Sequence, residues 1–166
     1  MTIEILKRIL LFAILCLVQV LVLNHIRLFA CATPLLYVYF VLKMDRDSSR
    51  WGIMLWGFAL GLTIDIFSNT PGLAAGTMTL LAFLQPALLS LFTQRETDDN
   101  LHPAMKTMGS GKFIYYTTLC VLLYSTVFFT LEAFSFFNLL QWVKNIIGST
   151  ILTTVLILCV ENLNRK

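Results

Sequence analysis

Long runs without an ionisable residue divide this chain, and they constrain its fold more than any other feature. The runs cover residues 9–24, 28–42, 51–94 (broken only by Asp65), 113–131 and 145–160. A membrane-spanning helix needs about 17–25 predominantly apolar residues. The chain is 58% hydrophobic and 13% charged, whereas soluble domains carry about 25% charged residues to keep their surface in water. The sequence therefore predicts an integral membrane protein.

The run 51–94 is long enough for two spans. Its middle, residues 68–72, reads Ser-Asn-Thr-Pro-Gly, and these residues favour a turn over a helix interior. We predict an all-α protein, a single transmembrane domain over residues 1–166, with a cytoplasmic loop at 94–112. The six predicted spans lie near 8–25, 33–44, 51–67, 72–93, 113–131 and 141–161. In the second span, Thr33 and Pro34 are expected to be the cap and first residue.

Lysine and arginine are distributed unequally between the two sides of these spans. Ten of the twelve fall on one side: Lys7, Arg8, Lys43, Arg46, Arg50, Arg95, Lys106, Lys112, Arg165 and Lys166. Only Arg27 and Lys144 fall on the other. Because basic residues favour cytoplasmic loops, both termini are predicted to be cytoplasmic, and Asp65 to lie near the outer face.

Asp65 is the only carboxylate in the interior of a predicted span, since Glu161 is the last residue of the sixth. A charge at the centre of a membrane helix costs about 2.5–3.5 kcal/mol, so the residue calls for a reason. It could serve a polar pocket, an ion or a partner. It could instead cap the 68–72 turn or reach water, and a cap would tolerate Asp65→Asn with a small loss. We favour the cap.

Two pairs of glycines with GxxxG spacing flank Asp65. They are Gly57 with Gly61, and Gly72 with Gly76. Such pairs let helix backbones approach closely in lipid. Both are expected to pack helices within this chain, and the alternative is that one of them receives a helix from another protein. Together with Asn69 and Pro71 of the turn, these residues are the candidates for a partner surface or pocket.

Catalytic and metal-binding patterns are missing from the sequence. His25 and His102 stand alone, and the four cysteines, Cys16, Cys31, Cys120 and Cys159, are scattered singly. Zinc or iron–sulfur ligation needs such residues to be gathered. There is no GxSxG, HExxH or phosphate-binding glycine loop. We expect no enzyme, no cofactor and no metal site, and the net charge of +3 is too small to indicate nucleic-acid binding.

The segment around Asp65 resembles a known family. The run GFALGLTIDIFSNTPGLAAGTMTLLAFLQP, which begins at Gly57, is similar to the signature stretch of the bacterial rod shape-determining protein MreD. In that family a glycine-leucine-x-x-aspartate run and a short polar turn precede a glycine that opens the next helix. Gly61, Leu62, Asp65, Pro71 and Gly72 match these positions. The earlier stretch LNHIRLFACATPLLYVYFVL also resembles the family.

This resemblance implies a non-enzymatic scaffold or regulatory subunit of the machinery for lateral cell-wall elongation. Such a subunit lies in the bacterial cytoplasmic (inner) membrane and supports cell shape and peptidoglycan synthesis. It binds the single-span protein MreC and is linked to MreB, RodA and the elongation transpeptidase. The family is also similar in fold to the substrate-capture S components of energy-coupling-factor vitamin transporters. An S-component-like bundle is therefore expected, and vitamin capture is the alternative function.

Overall fold

The computed structural model describes residues 2–23, 33–44, 48–92, 108–133 and 139–165. Within these ranges the secondary structure is helical, and no strand occurs. Residues 94–107 of the predicted loop at 94–112 lie outside the described residues. The described residues form six helices: α1 (Thr2–Leu21), α2 (Val38–Leu42), α3 (Arg50–Ser68), α4 (Leu73–Phe92), α5 (Ser110–Ala133) and α6 (Leu139–Arg165).

Four of these helices are long and apolar enough to cross a membrane. They are α3, α4, α5 and the Leu139–Leu163 part of α6, and they agree with the last four predicted spans to within a few residues. Helix α1 is about 30 Å long by its rise but includes Glu4, Lys7 and Arg8 in its first two turns. The transmembrane character predicted from the charge-free runs is thus present in four helices, while orientation stays a prediction.

The second predicted span differs from the observed structure. Helix α2 has only five residues, about 7.5 Å at 1.5 Å per residue, which is far short of the roughly 30 Å of a hydrocarbon core. Thr33 and Pro34 do not begin it, because residues 33–35 are irregular and Tyr37 precedes the helix without a side-chain cap. The expectation of a helix over the whole of 33–44 is therefore wrong.

The irregular backbone before α2 is bound by side chains from other helices. Gln19 of α1 donates through Nε2 to the carbonyl of Pro34 (2.9 Å) and accepts through Oε1 from the Leu36 amide (3.1 Å). Thr153 of α6 accepts from the amide of Leu35 at 3.0 Å. Buried backbone groups must find partners. Because α1 and α6 supply them here, the segment does not need to be helical.

Helix α2 lies at the centre of the bundle, and its five residues are at most 2% exposed. It packs against α1, α3, α4 and α5. The longer helices contact one another in sequence: α1 contacts α3, α3 contacts α4, α4 contacts α5, and α5 contacts α6. Phe12 of α1 meets Phe40 of α2 and Trp56 of α3 edge-on, with ring centroids 5.9 and 6.0 Å apart. A helix that is apolar on every side is stable only when surrounded. This position satisfies that requirement.

A salt bridge ties this central segment to the end of α6. Lys43 approaches Glu161 with an Nζ–Oε2 distance of 2.9 Å, and the hydroxyl of Tyr39 donates to the same carboxylate at 2.6 Å. The Glu161 side chain is 5% exposed and that of Lys43 is 25% exposed. The pair thus fixes the last turn of the α2 segment against α6 at the end opposite Asp65.

Candidate functional site

The connection between α3 and α4 is built around the backbone and side chain of Asp65. Helix α3 ends at Ser68, and Asn69 adopts a left-handed conformation with φ 56°. The amides of Asn69 and Thr70 both donate to the carbonyl of Asp65. A left-handed residue after the last turn is a common helix ending, for which asparagine and glycine are best suited. The turn predicted at 68–72 is therefore present.

The carboxylate of Asp65 binds the beginning of the next helix. Its Oδ1 accepts from the amide of Ala74 (2.8 Å) and from the hydroxyl of Thr70 (2.9 Å), and its Oδ2 accepts from the amide of Ala75 (2.8 Å). The first amides of a helix have no partner within that helix, and the helix dipole favours a negative charge there. Asp65 is 3% exposed. The structure thus places it as a buried cap on α4, and it does not reach water.

The first glycine pair lies in the contact between α3 and α4. A Cβ atom on Gly61 would stand 2.6 Å from the carbonyl oxygen of Ala74 and from the Cα of Ala75. One on Gly57 would stand 3.3 Å from the Cβ of Ala82. Gly61 and Asp65 are one helical turn apart and share a face. The missing side chain at position 61 therefore lets α4 come close enough for the Asp65 carboxylate to bind it.

The second glycine pair is placed differently. Gly72 and Gly76 are exposed, and a Cβ on either would meet no atom within 4 Å. Packing within the chain was predicted for this pair, and the described contacts do not show it, because α4 turns Ala75 and Met78 toward the interior instead. Gly72 has φ +81°, so its requirement for glycine comes from the backbone. Asn69 and Pro71 are also exposed.

A cavity of about 480 Å³ opens beside this turn, between α1, the Thr33–Tyr37 segment and helices α3, α5 and α6. Phe67, Phe128 and Phe129 form part of its apolar wall, and Glu132 contributes a carboxylate. Its uncharged polar lining consists of Gln19, Thr33, Tyr37, Ser68, Thr70 and Asn145. The site therefore combines residues from nearly every helix.

Sequence reasoning found only part of this cavity. Ser68 and Thr70 come from the predicted turn, whereas Gln19, Tyr37 and Asn145 were not singled out. A glutamine within the uncharged run 9–24 was the available signal, since a buried polar side chain needs partners. Gln19 is 2% exposed, and its partners lie in the Pro34–Leu36 backbone.

A buried hydroxyl chain connects the cavity wall to α4. The hydroxyls of Tyr37 and Tyr124 are hydrogen-bonded, and the Thr77 hydroxyl donates to that of Tyr124 at 3.1 Å. All three residues are at most 2% exposed. These hydrogen bonds join the Tyr37 hydroxyl to α5 and, through Tyr124, to α4.

The chain contains no recognisable metal centre in its described ranges, where no three His, Cys, Asp or Glu residues come together. Comparison with protein-family models, with curated proteins and with solved structures gives no match. Interpretation of the site therefore depends on its own geometry.

Proposed function

We propose that this chain is a non-enzymatic membrane scaffold or regulatory subunit of the bacterial rod complex for cell-wall elongation, of the MreD type. It would reside in the cytoplasmic membrane with both termini inside and bind an MreC-like single-span partner. The observation that carries the proposal is the state of Asp65. Both of its carboxylate oxygens are bound to the amides that open α4, so the one carboxylate within α3 serves architecture and is not presented for proton or ion transfer.

The residues of the run that begins at Gly57 and resembles the MreD signature stretch divide into two roles, which supports this proposal. Gly61 and Asp65 join α3 to α4, whereas Pro71, Gly72 and Gly76 face outward. Small exposed residues on an apolar helix permit close approach by a second helix. A rigid helix pair that presents an open small-residue face is a suitable arrangement for binding the single membrane helix of a partner.

The test is co-purification of the full chain with an MreC-like partner from a shared membrane. Gly76→Leu should weaken recovery of the partner while the chain itself accumulates normally, because position 76 has open space around it. Ala87→Leu is the matched control, since Ala87 is another small exposed residue of α4. Absence of the partner from the unmodified chain would refute the proposal.

The cavity beside the turn favours a second candidate function, the capture of a small molecule for transport. Pockets that bind small molecules enclose about 300–1,000 Å³ and combine apolar walls with a few polar groups, and the observed cavity lies in that range. A capture subunit should co-purify with an ATPase module, which a scaffold subunit does not require. The identity of the co-purifying protein therefore distinguishes the two functions.

A further inference from the structure

Four buried hydroxyl groups on α5 and α6 have no hydrogen-bond partner among the described residues. They belong to Thr117 and Ser125 of α5 and to Thr150 and Thr154 of α6. All four residues are at most 8% exposed. A buried polar group that finds no partner costs free energy, and such groups are rare in native proteins. Each of these hydroxyls therefore needs an explanation.

Other hydroxyls of the long helices are satisfied within their own helix. Thr63, Thr79 and Thr126 each donate to the carbonyl four residues earlier, at 2.7–2.8 Å. A serine or threonine within a helix can ordinarily make this bond. The four hydroxyls of α5 and α6 do not make it, so they are turned away from their own backbone.

On α6, the unpaired hydroxyls face α5. Thr153 binds the Leu35 amide of the segment before α2, and Thr154 lies about 100° further round the helix. Thr150 is four residues before Thr154 and shares its face. Toward lipid these two residues would be exposed, but they are 6% and 8% exposed. The helix that α6 contacts most is α5, so it is α5 that covers them.

On α5, Ser125 faces α6. Helix α5 packs against both α4 and α6, and Tyr116 marks the α4 side, because its ring meets that of Phe92 with centroids 6.2 Å apart. Ser125 comes nine residues after Tyr116, which places it on the opposite side of the helix. Since Ser125 is fully buried, that side is covered by α6.

The hydroxyls of the two helices also agree in depth. Only five residues separate the end of α5 from the start of α6, so the two helices are antiparallel neighbours. Ser125 lies about 12 Å from the end of α5 and Thr150 about 16 Å from the start of α6, at 1.5 Å per residue. The corresponding distances for Thr117 and Thr154 are about 24 and 22 Å. Each pair thus matches to within one helical turn.

Water is the ligand that this chemistry fits. A hydroxyl donates one hydrogen bond and accepts two, and a buried water makes about three hydrogen bonds to polar groups that otherwise lack partners. Serine and threonine are short, so they do not fill the space between two helices as leucine does. They carry no charge, so they would not offset the cost of removing an ion from water.

We propose that the α5–α6 seam, the contact between these two helices, binds water at two levels. One level lies between Ser125 and Thr150, and the other between Thr117 and Thr154. This goes beyond the scaffold role, which requires no internal ligand. Helix α6 also holds the segment before α2 through Thr153. Water in the seam therefore helps to fix the centre of the bundle.

The test measures magnetisation transfer from water protons to isotope-labelled threonine side chains by solid-state NMR. The full chain is placed in phosphatidylcholine bilayers, and signals are assigned by their loss in Thr150→Val and Thr154→Val. Both residues should receive magnetisation several-fold faster than Thr77. That residue is the control because it is equally buried, at 2% exposed, but its hydroxyl is bonded to Tyr124 and to its own helix.

Two variants remove one hydroxyl each with little change in volume. Ser125→Ala should abolish most of the transfer to Thr150, and both Ser125→Ala and Thr150→Val should lower the unfolding temperature, because each deprives a bound water of a partner. Thr126→Val is the control on α5, since that hydroxyl is bonded within its own helix, and it should leave the transfer to Thr150 unchanged.

The outcomes that would overturn this proposal are distinct. Slow transfer with a higher unfolding temperature in both variants would show hydroxyls that are dry and unbonded. Slow transfer with a lower unfolding temperature would show hydroxyls bonded directly to protein. Fast transfer that survives Ser125→Ala would place the water elsewhere. The comparison with Thr77 uses the unmodified chain, so it stands even if a variant fails to fold. Partner co-purification is measured separately, and failure here leaves the scaffold proposal standing.

Discussion

A Cβ atom at Gly61 would stand 2.6 Å from the Cα of Ala75 in the neighbouring helix. Backbone atoms cannot yield as a flexible side chain can, so even Gly61→Ala must push α4 away from α3. We expect a destabilisation of about 1–3 kcal/mol for the alanine, and failure of the protein to accumulate for Gly61→Leu. Thermal unfolding in detergent and the amount of protein in membranes measure the two effects.

The control for this prediction is the corresponding change in the other glycine pair. Gly76→Ala adds its methyl group to open space, and alanine is favoured over glycine within a helix by about 0.5–1 kcal/mol. The unfolding temperature should therefore stay the same or rise. Equal losses for the two alanine variants would contradict the close contact at Gly61.

Asp65→Asn is expected to be more damaging than the sequence indicated. Asparagine is a good cap where one oxygen accepts one bond, but here each carboxylate oxygen accepts from a separate amide. An amide side chain would place its own N–H against one of those donors and leave it unsatisfied, which costs about 1–3 kcal/mol. Thermal unfolding of the purified variant measures this cost.

Thr70→Val provides the graded comparison for Asp65. It removes only the hydroxyl donor to Oδ1 and leaves both backbone amides bound, so we expect a loss of about 0.5–1.5 kcal/mol. If Asp65→Asn were as stable as the unmodified chain, the cap would not matter to the fold. A loss of cell-shape support in that stable variant would then assign the charge to a partner.

Gln19→Met should loosen the segment that precedes α2. The substitution keeps approximate volume but leaves the Pro34 carbonyl and the Leu36 amide without their partner, at about 1–3 kcal/mol for each buried group. Hydrogen exchange should rise at residues 35–38. Leu17→Met, at an exposed position of α1, is the control and should leave that exchange unchanged.

The Lys43–Glu161 pair should respond asymmetrically to removal of either partner. Lys43→Met removes the positive charge beside the nearly buried Glu161 carboxylate, whereas after Glu161→Gln the more exposed lysine can turn to water. We therefore expect Lys43→Met to cost more, about 2 kcal/mol. The double variant should be more stable than Lys43→Met alone, because it removes the carboxylate together with the lysine that neutralises it. Equal costs for the two single variants would contradict this.

Reporter fusions test the orientation. Fusions within 94–112 and after Lys166 should be cytoplasmic, and one at Thr70 should be external, because ten of twelve basic residues lie on one side. An external C-terminus would exclude the proposed arrangement. A fusion at residue 45 reports on whether the short α2 segment returns the chain to the cytoplasm.

The four long helices and the Asp65 turn could be predicted because their signals are local. A long uncharged run predicts a membrane span without reference to the rest of the chain. Asn69 and Gly72 likewise disfavour continuation of a helix through their own conformational preferences. The run 28–42 has the same composition, yet its described residues 33–37 are not helical. Its conformation depends on Gln19 and Thr153, which lie far away in sequence, and no local pattern reports such contacts.

The glycine pairs and the cavity show the same limit. The spacing of Gly57 with Gly61 equals that of Gly72 with Gly76, but among the described residues only the first pair faces a neighbouring helix. The spacing of residues along a helix shows which of them share a face. Whether that face points to a neighbouring helix depends on how the whole bundle packs. The cavity could not be predicted for a related reason, since Gln19, Tyr37 and Asn145 meet only after the helices are assembled.

The bond between Leu35 and Thr153 has a consequence for how the protein is made. These residues are 118 positions apart, so at ordinary rates of translation the acceptor emerges on the order of ten seconds after the donor. Until then the backbone amides before α2 have no α6 hydroxyl to accept their hydrogen bonds. The bundle therefore cannot be completed helix by helix as the ribosome proceeds. Its centre closes last, and a chain that stops before α6 should persist as an open intermediate that membrane proteases recognise.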